Sequence, residues 1–544
     1  MLKPLHDIDA IRVRQQDCVE LLMQTENAEI CRRLRSQLGK SHDTTRTLLR
    51  IKKVSSTFMD WCKLIQSIDS ALDVRDGLAV LKTRADAAMA VDGGMVDESF
   101  ASQTMLARLQ NGIDAVVLRR CLEGLSEVVD APASMEDRDV VIRTGCDEEL
   151  DRLKGVLDNL PDILQAVGKI VLDENPVLDE LSVEYVPQIG FLTALHRRYS
   201  DLAPPDFSFA FAQVDTVFFK NPRMHEMDDG IGDIQAQITD KQAKIMRELE
   251  EALLEQEVVL HAAAASMAEL DAAMSLASVA SDFGFVRPEV VEDNVIMIKN
   301  GRHPLQARDC ELTVDHFIPN DTYIADGGRV ALITGANCSG KSVYLKQVGV
   351  AVFLAHVGSF VPAERAIIGL TDRIFTRIST VETSALPQSS FTIDVNQVAQ
   401  MVRSSTPRSL LLIDEFGKGT APADGIGLVA ALLRNLSRTG RKCLFTLHFH
   451  EIFSHGLVKT YGPDDMRTEL KDVSVFRMDV HMPEAPQARL QATLRTYYAD
   501  MGIGGNEIDL TTTESPIPLF KLTPGMTASS HGIACAEAAG EKGR

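Results

Sequence analysis

The chain has 544 residues, 45% of them hydrophobic, and a formal net charge of −21. That length and apolar share fit a multidomain protein with large buried cores and exclude a disordered chain. The acidic balance excludes a protein that coats nucleic acid by charge alone, though not one making local contacts or a ring touching DNA sparsely.

From residue 1 to about 155 the pattern is helical. Val19, Leu21 and Leu22, then Leu48, Leu49, Ile51 and Val54, recur near a period of 3.6 with few Gly or Pro interruptions. Arg50, Lys52 and Lys53 form a basic cluster whose simplest reading is a solvated face. EELDRLKGVLDNLPDILQAVGKIVL continues as one or two helices, with Pro161 marking a kink or break. Between Leu181 and Phe219, aromatic and β-branched residues alternate around the turn signal Pro204-Pro205-Asp206, so a small β-rich insertion is expected. Residues 181–230 carry four basic and seven acidic side chains, so charge gives no reason to place DNA there. Gly232 to Ala280 returns to helix, read equally well as a core helix or helix pair and as a projecting coiled arm. Gly284 to Pro288 ends it, and beyond Val291 short apolar strands alternate with helices as in an α/β layer.

Within that layer, Arg329 to Val352 has the order a phosphate site needs. Val330–Ile333 is a strand-like run. Gly335, Ala336, Asn337, Cys338, Ser339, Gly340, Lys341 and Ser342 form a glycine-bounded loop, and Val343, Leu345, Val348 and Val352 follow at helical spacing. Backbone N–H groups and the helix N-terminus favour phosphate there, Lys341 reaches the outer phosphates, and Ser342 offers a hydroxyl to Mg²⁺. The bland alternative is an ordinary strand-to-helix turn. Leu410–Ile413 is a second apolar strand, ending in Asp414 and Glu415. One carboxylate suits Mg²⁺ and the next suits deprotonation of an attacking water. GKGTAPADG follows as a turn able to pack on a neighbouring nucleotide, and His448 ends a further strand where a γ-phosphate sensor would stand. The nine cysteines are scattered without a CxxC pair, so reduced thiols are expected. No signal peptide or membrane-spanning run is visible, and no membrane partner is expected.

ITGANCSGKSVYLKQVG, GSFVPAERAIIGLTDRIFTRI, SSFTIDVNQVAQMV, LLIDEFGKGTAPADGIGL and LTPGMTASSHGIACAEAAG, in that order, resemble the ATPase domain of the MutS family. Upstream, PLHDIDAIRVRQQDCVELL, GCDEELDRL and VEYVPQIGFL resemble its core, lever and clamp segments. The resemblance implies a helical core and lever with an inserted small β clamp, followed by an ABC-type P-loop ATPase domain. Its segments would be 1–155 (core), 156–230 (lever end and clamp), 231–284 (returning lever) and 285–544 (ATPase). It implies ATP and Mg²⁺ as cofactors, the Gly335–Ser342 loop as phosphate site, Ser342 and Asp414 on the metal, Glu415 as base and His448 as switch. Phe317 would pack on adenine, and Ser389 and Ser390 would reach the γ-phosphate held by a partner subunit. GKGT after DEF, IDVNQVA after SSF, and the segments TTRTLLRIKKVSSTFMDWCKLIQSI and GSFVPAE resemble the meiotic branch of the family. That implies a nuclear protein on meiotic chromosomes, with MutS protein homologue 4 as heterodimer partner. It also implies binding to double-stranded and branched DNA such as Holliday junctions, and promotion of crossovers.

Two departures stand out. ALPQSSF carries Pro387 where the family has a glycine before its Ser-Thr-Phe, and proline cannot take glycine's backbone conformations. The chain starts inside the core and stops at GEKGR, as a partial chain would. The rival readings are a mismatch-repair paralogue, and a nucleotide-binding scaffold without efficient turnover.

Overall fold

In the computed structural model, residues 4–91, 104–311, 316–378, 390–481 and 517–527 are described. The chain divides into two compact units, Arg32–Arg84 with Ala107–Glu269, and Met1–Cys31 with Ala85–Leu106 and Leu270–Arg544.

The unit containing residues 107–269 is mostly helical because its apolar residues keep the helical period and its polar ones supply caps. Asp114 accepts from Val116 N and Val117 N at the head of Ala115–Val128, and Asp147 accepts from Leu150 N at the head of Glu148–Asp158. The helical run then breaks at Asn159, and Pro161 lies in the first turn of Leu160–Glu174, where its missing N–H leaves no bond unmade. Pro161 therefore begins a helix and kinks none. Of the basic cluster, Arg50 pairs with Asp60 at 2.8 Å and Lys52 with Glu257 at 3.2 Å. Two of its three charges therefore serve contacts inside the unit, beyond simple solvation.

The β-rich segment holds β1 (Ser182–Val186), β2 (Gly190–His196), β3 (Ser208–Ala212) and β4 (Thr216–Lys220), an antiparallel sheet in the order β1-β2-β4-β3. Alternation decides its faces. Phe191, Leu195, Val217 and Phe219 join the core with Leu153, Val171 and Met224, while Leu192, Ala194 and Phe218 form a second cluster with Val186 and Phe211. The helical stretch that follows is two helices, Ile234–Leu254 and Glu257–Asp282, broken at 255–256.

The other unit contains β5 (Glu289–Val291), β6 (Ile296–Gly301), β7 (Asn320–Ile324), β8 (Val330–Gly335), β9 (Arg365–Gly369), β10 (Ile374–Arg377), β11 (Leu410–Asp414), β12 (Lys442–Thr446), β13 (Val473–His481) and β14 (Ile517–Pro524). One sheet runs β5-β9-β6-β7. The other runs β10-β11-β12-β8-β13-β14, parallel throughout except at β14. Its central strands β11, β12 and β8 are buried on both faces, as a sheet covered on both sides requires. Ala331, Ile333, Leu410, Leu412 and Leu444 meet the helix Lys341–Val357. Val330, Leu332, Leu411, Ile413 and Phe445 meet the helices Pro422–Thr439 and Ser390–Ser404. The helix Lys341–Val357 is apolar almost all round because the smaller sheet's Ile296, Ile298, Ile324 and Ile368 belong to the same core cluster. The architecture is thus mixed helical and α/β with several sheets. Among the described residues no helix is long and apolar enough to cross a membrane.

At the N-terminal end of β12, Lys442 is fully buried and its Nζ donates to Thr371 Oγ1 at 3.1 Å. Burial lowers its pKa to about 8, with Arg408 adding to the shift. The unfolded state, with Lys near its ordinary value, therefore binds more protons between pH 8 and 10.5. Resistance to unfolding should rise across that window by up to about 3 kcal/mol from this residue. Lys442→Met should abolish that rise and stabilise the protein at pH 7 by about 1–3 kcal/mol, since Thr371 Oγ1 keeps its bond to Gly369 O. Urea unfolding of both proteins from pH 7 to 10 checks this, and identical pH profiles would contradict it.

Candidate functional site

Parallel register gathers the site at one end of the larger sheet. Opposite Asp414 at the end of β11 stands Thr446 at the end of β12, and Thr446 in turn stands opposite Ile333 of β8, two residues before Gly335. After Gly335 the backbone turns through conformations that suit glycine, with φ of 149° at Gly335 and 92° at Gly340 and a left-handed Cys338 at 60°. Ala336 and Ser339 are buried, Asn337 is half-buried and Cys338 exposed. Ser339 Oγ donates to Ala336 O at 2.7 Å and stiffens the loop. Gly340 then leads into Lys341–Val357, a long helix whose first N–H groups open toward the loop.

Lys341 is 6% exposed, and its Nζ donates to the carbonyls of Gly335 at 2.9 Å and Ala336 at 2.8 Å. Burial lowers its pKa, while Glu415 (3.8 Å away) and Asp414 oppose the shift. Ser342 Oγ donates to Asp414 Oδ2 at 2.6 Å, and Thr446 Oγ1 donates to the other oxygen of Asp414. Loop, helix start and acidic pair are therefore one hydrogen-bonded constellation.

Glu415 has φ of 49°, a left-handed conformation that costs a non-glycine residue roughly 1–2 kcal/mol. Its N–H donates to Thr446 Oγ1 at 2.9 Å and to Thr446 O at 3.2 Å. Burial works to raise its pKa, but the hydrogen bond from Lys418 and the charges of Lys418 and Lys341 leave it below the ordinary value. Burial, with Lys418 beside it, pushes His448 down. Near neutral pH Glu415 is thus an anion able to accept a proton, and His448 a neutral ring.

Beside the loop is a cavity of about 330 Å³, within the range of small-molecule sites. Phe317, Phe520, Val343, Tyr344 and Gln347 help line it, and Gly340 borders it. A Cβ at Gly340 would lie 3.1 Å from Phe520 Cδ1. Pro387, Ser389 and the segment SSHGIACAEAAG lie outside the described residues, and Ser390 begins the helix Ser390–Ser404.

The sequence reading missed Thr446, Lys418, Phe520 and Arg377. Arg377, at the end of β10, donates to the carbonyl of Asp414 and pairs with Asp394 on the helix Ser390–Ser404. The parallel registers that align Thr446 with Asp414 and Arg377 with Ile413 have no local signature. The donor set is oxygen-only. Among the described residues no group of three or more His, Cys, Asp and Glu could hold a metal. One hydroxyl and one carboxylate oxygen 2.6 Å apart suit a hard cation such as Mg²⁺, which completes its shell with phosphate and water.

Two family descriptions match the chain, MutS domain III over residues 1–277 and MutS domain V over residues 331–484. The chain belongs to the MutS family. Among its MutS relatives, MutS protein homolog 5 of Saccharomyces cerevisiae is 30% identical over 573 residues, covering 99% of this chain and 59% of that protein. MutS protein homolog 5 of Caenorhabditis elegans is 28% identical over 458 residues, 82% of this chain and 32% of that protein. DNA mismatch repair protein MutS of Chlorobium phaeovibrioides is 30% identical over 455 residues, 83% of this chain and 49% of that protein. This MutS chain therefore spans less than two thirds of each of these relatives.

Gly340→Ala should lower stability by about 1–2 kcal/mol from its left-handed backbone alone, and further through the contact with Phe520. The same substitution in a Phe520→Ala background should cost less. Thermal unfolding of the four proteins of this cycle checks it, and an equal cost in both backgrounds would contradict the contact.

Proposed function

We propose that this MutS chain binds and hydrolyses ATP, and that the nucleotide switches its grip on branched DNA during meiotic recombination. The carrying observation is the Ser342–Asp414–Thr446 network, which sets the glycine-rich loop against an ionised Glu415. On this reading the loop N–H groups and Lys341 receive the phosphates, and the base lies in the cavity between Phe317 and Phe520. Glu415 orients a water and takes its proton as the water attacks the γ-phosphate in line. Lys341 lies 3.8 Å from Glu415 and offsets charge that builds on the phosphoryl oxygens. His448, electrostatically close to Glu415, would donate a hydrogen bond to the γ-phosphate. Ser342 and Asp414 would hold Mg²⁺, which when bound neutralises phosphate charge.

The segments 1–284 would act as core, levers and clamp, and 285–544 as an ABC-type ATPase domain. Ser389 and Ser390 would serve the γ-phosphate bound by a partner, taken to be MutS protein homologue 4, in a nuclear heterodimer on meiotic chromosomes. Similarity to two proteins named MutS protein homolog 5, one matched across 99% of this chain, supports the meiotic role. Comparable identity to bacterial mismatch repair MutS proteins keeps mispaired DNA as the second reading. With a net charge of −21, binding should depend on a few placed phosphate contacts, and its fall with salt should be shallow in proportion to their small number.

Binding to a four-way junction, a mismatched duplex and a plain duplex, with and without the partner and ATP, tests the proposal. ATP-sensitive preference for the junction in the paired protein is expected. A preference for the mismatch would move the function to repair, and equal binding to all three would overturn both readings.

A further inference from the structure

The Asp414–Glu415 peptide is held from both sides. Thr446 takes the N–H of Glu415, and Arg377 donates to the carbonyl of Asp414. A glutamate at φ of 49° persists only where its surroundings over-determine the turn, and these bonds grip the peptide that makes it. Arg377 is 9% exposed and its guanidinium also pairs with Asp394, which is 3% exposed on the helix Ser390–Ser404. A buried guanidinium needs such a counter-charge, and its planar fork presents one nitrogen to the Asp414 carbonyl and another to the Asp394 carboxylate.

We propose that Arg377 is a positioning residue for Glu415, and that Asp394 makes that positioning depend on where the helix Ser390–Ser404 sits. The buried pair is therefore a mechanical link from this helix to the turn that aims the Glu415 carboxylate. This rests on the reading of Glu415 as the base of ATP hydrolysis. Arg377 touches no reacting atom, and its loss leaves the loop, Lys341 and Ser342 as they are. Its signature is a fall in turnover without a matching fall in nucleotide affinity.

Arg377→Lys, Asp394→Asn and Glu415→Gln, each in the full chain with its partner, are compared for kcat, KM and affinity for a fluorescent ATP analogue. Lysine keeps the charge beside Asp394 but replaces the two nitrogens that hold Asp414 O and Asp394 with one, so Arg377→Lys should lose roughly 10–100-fold in kcat with analogue affinity within about twofold. Asp394→Asn keeps an acceptor for Arg377, should lose roughly threefold to tenfold in kcat, and reads the link if the Arg377 variant fails to fold. Normal turnover in both variants beside an inactive Glu415→Gln would overturn the inference and leave the base standing. Kcat, affinity and thermal midpoint falling together would also overturn it, as a merely structural role. Full turnover in Glu415→Gln would remove the base and the inference with it.

Discussion

The hydrogen bond from Ser342 to Asp414, 2.6 Å long between residues 72 apart, depends on the parallel order of β8, β12 and β11. Parallel strands end on the same side, so the glycine turn after β8, the hydroxyl ending β12 and the carboxylate ending β11 arrive together. That sheet is stable only with both faces covered. The apolar helices Lys341–Val357 and Pro422–Thr439 cover them, and the first of these also presents its N-terminus to the loop. Packing and site geometry thus have one cause.

Strain is concentrated where the chemistry would be. Gly335, Cys338, Gly340 and Glu415 all have positive φ within one cluster. Two are glycines that adopt it freely, and two are not. Glu415 is held by the bonds its N–H donates to Thr446, on a neighbouring strand, and the carbonyl before it by a bond from Arg377. Burial alone would raise the pKa of Glu415 and lower that of Lys341. Their proximity, with Lys418, offsets this for Glu415 and leaves a carboxylate ionised in a half-buried setting.

Much of this was legible in the sequence because it is local. The loop, the acidic pair after an apolar strand, the β-rich segment and the long helical runs each lie within one short window. What was not legible is relational. Thr446 matters through strand register, Arg377 through a pairing with a helix that starts 13 residues later, and Phe520 through β14 returning to the loop from 180 residues beyond Gly340. The break at 255–256 carries neither glycine nor proline, whereas the break expected at Pro161 falls beside it, at Asn159. The basic cluster is solvated as read, with Lys52 and Lys53 exposed, but its ion pairs were not legible because Asp60 and Glu257 lie on other helices.

The central claim is that loop and acidic pair form a single Mg²⁺–ATP site, and calorimetric titration with ATP, with and without Mg²⁺, tests it most directly. The proteins compared are wild type, Ser342→Ala, Asp414→Asn and the double variant. Mg²⁺ should tighten ATP binding to the wild type on the order of tenfold. Each single variant should lose that gain, and the double variant should lose no more than either, as coupled residues do. Binding indifferent to Mg²⁺, or losses that simply add, would contradict a shared site.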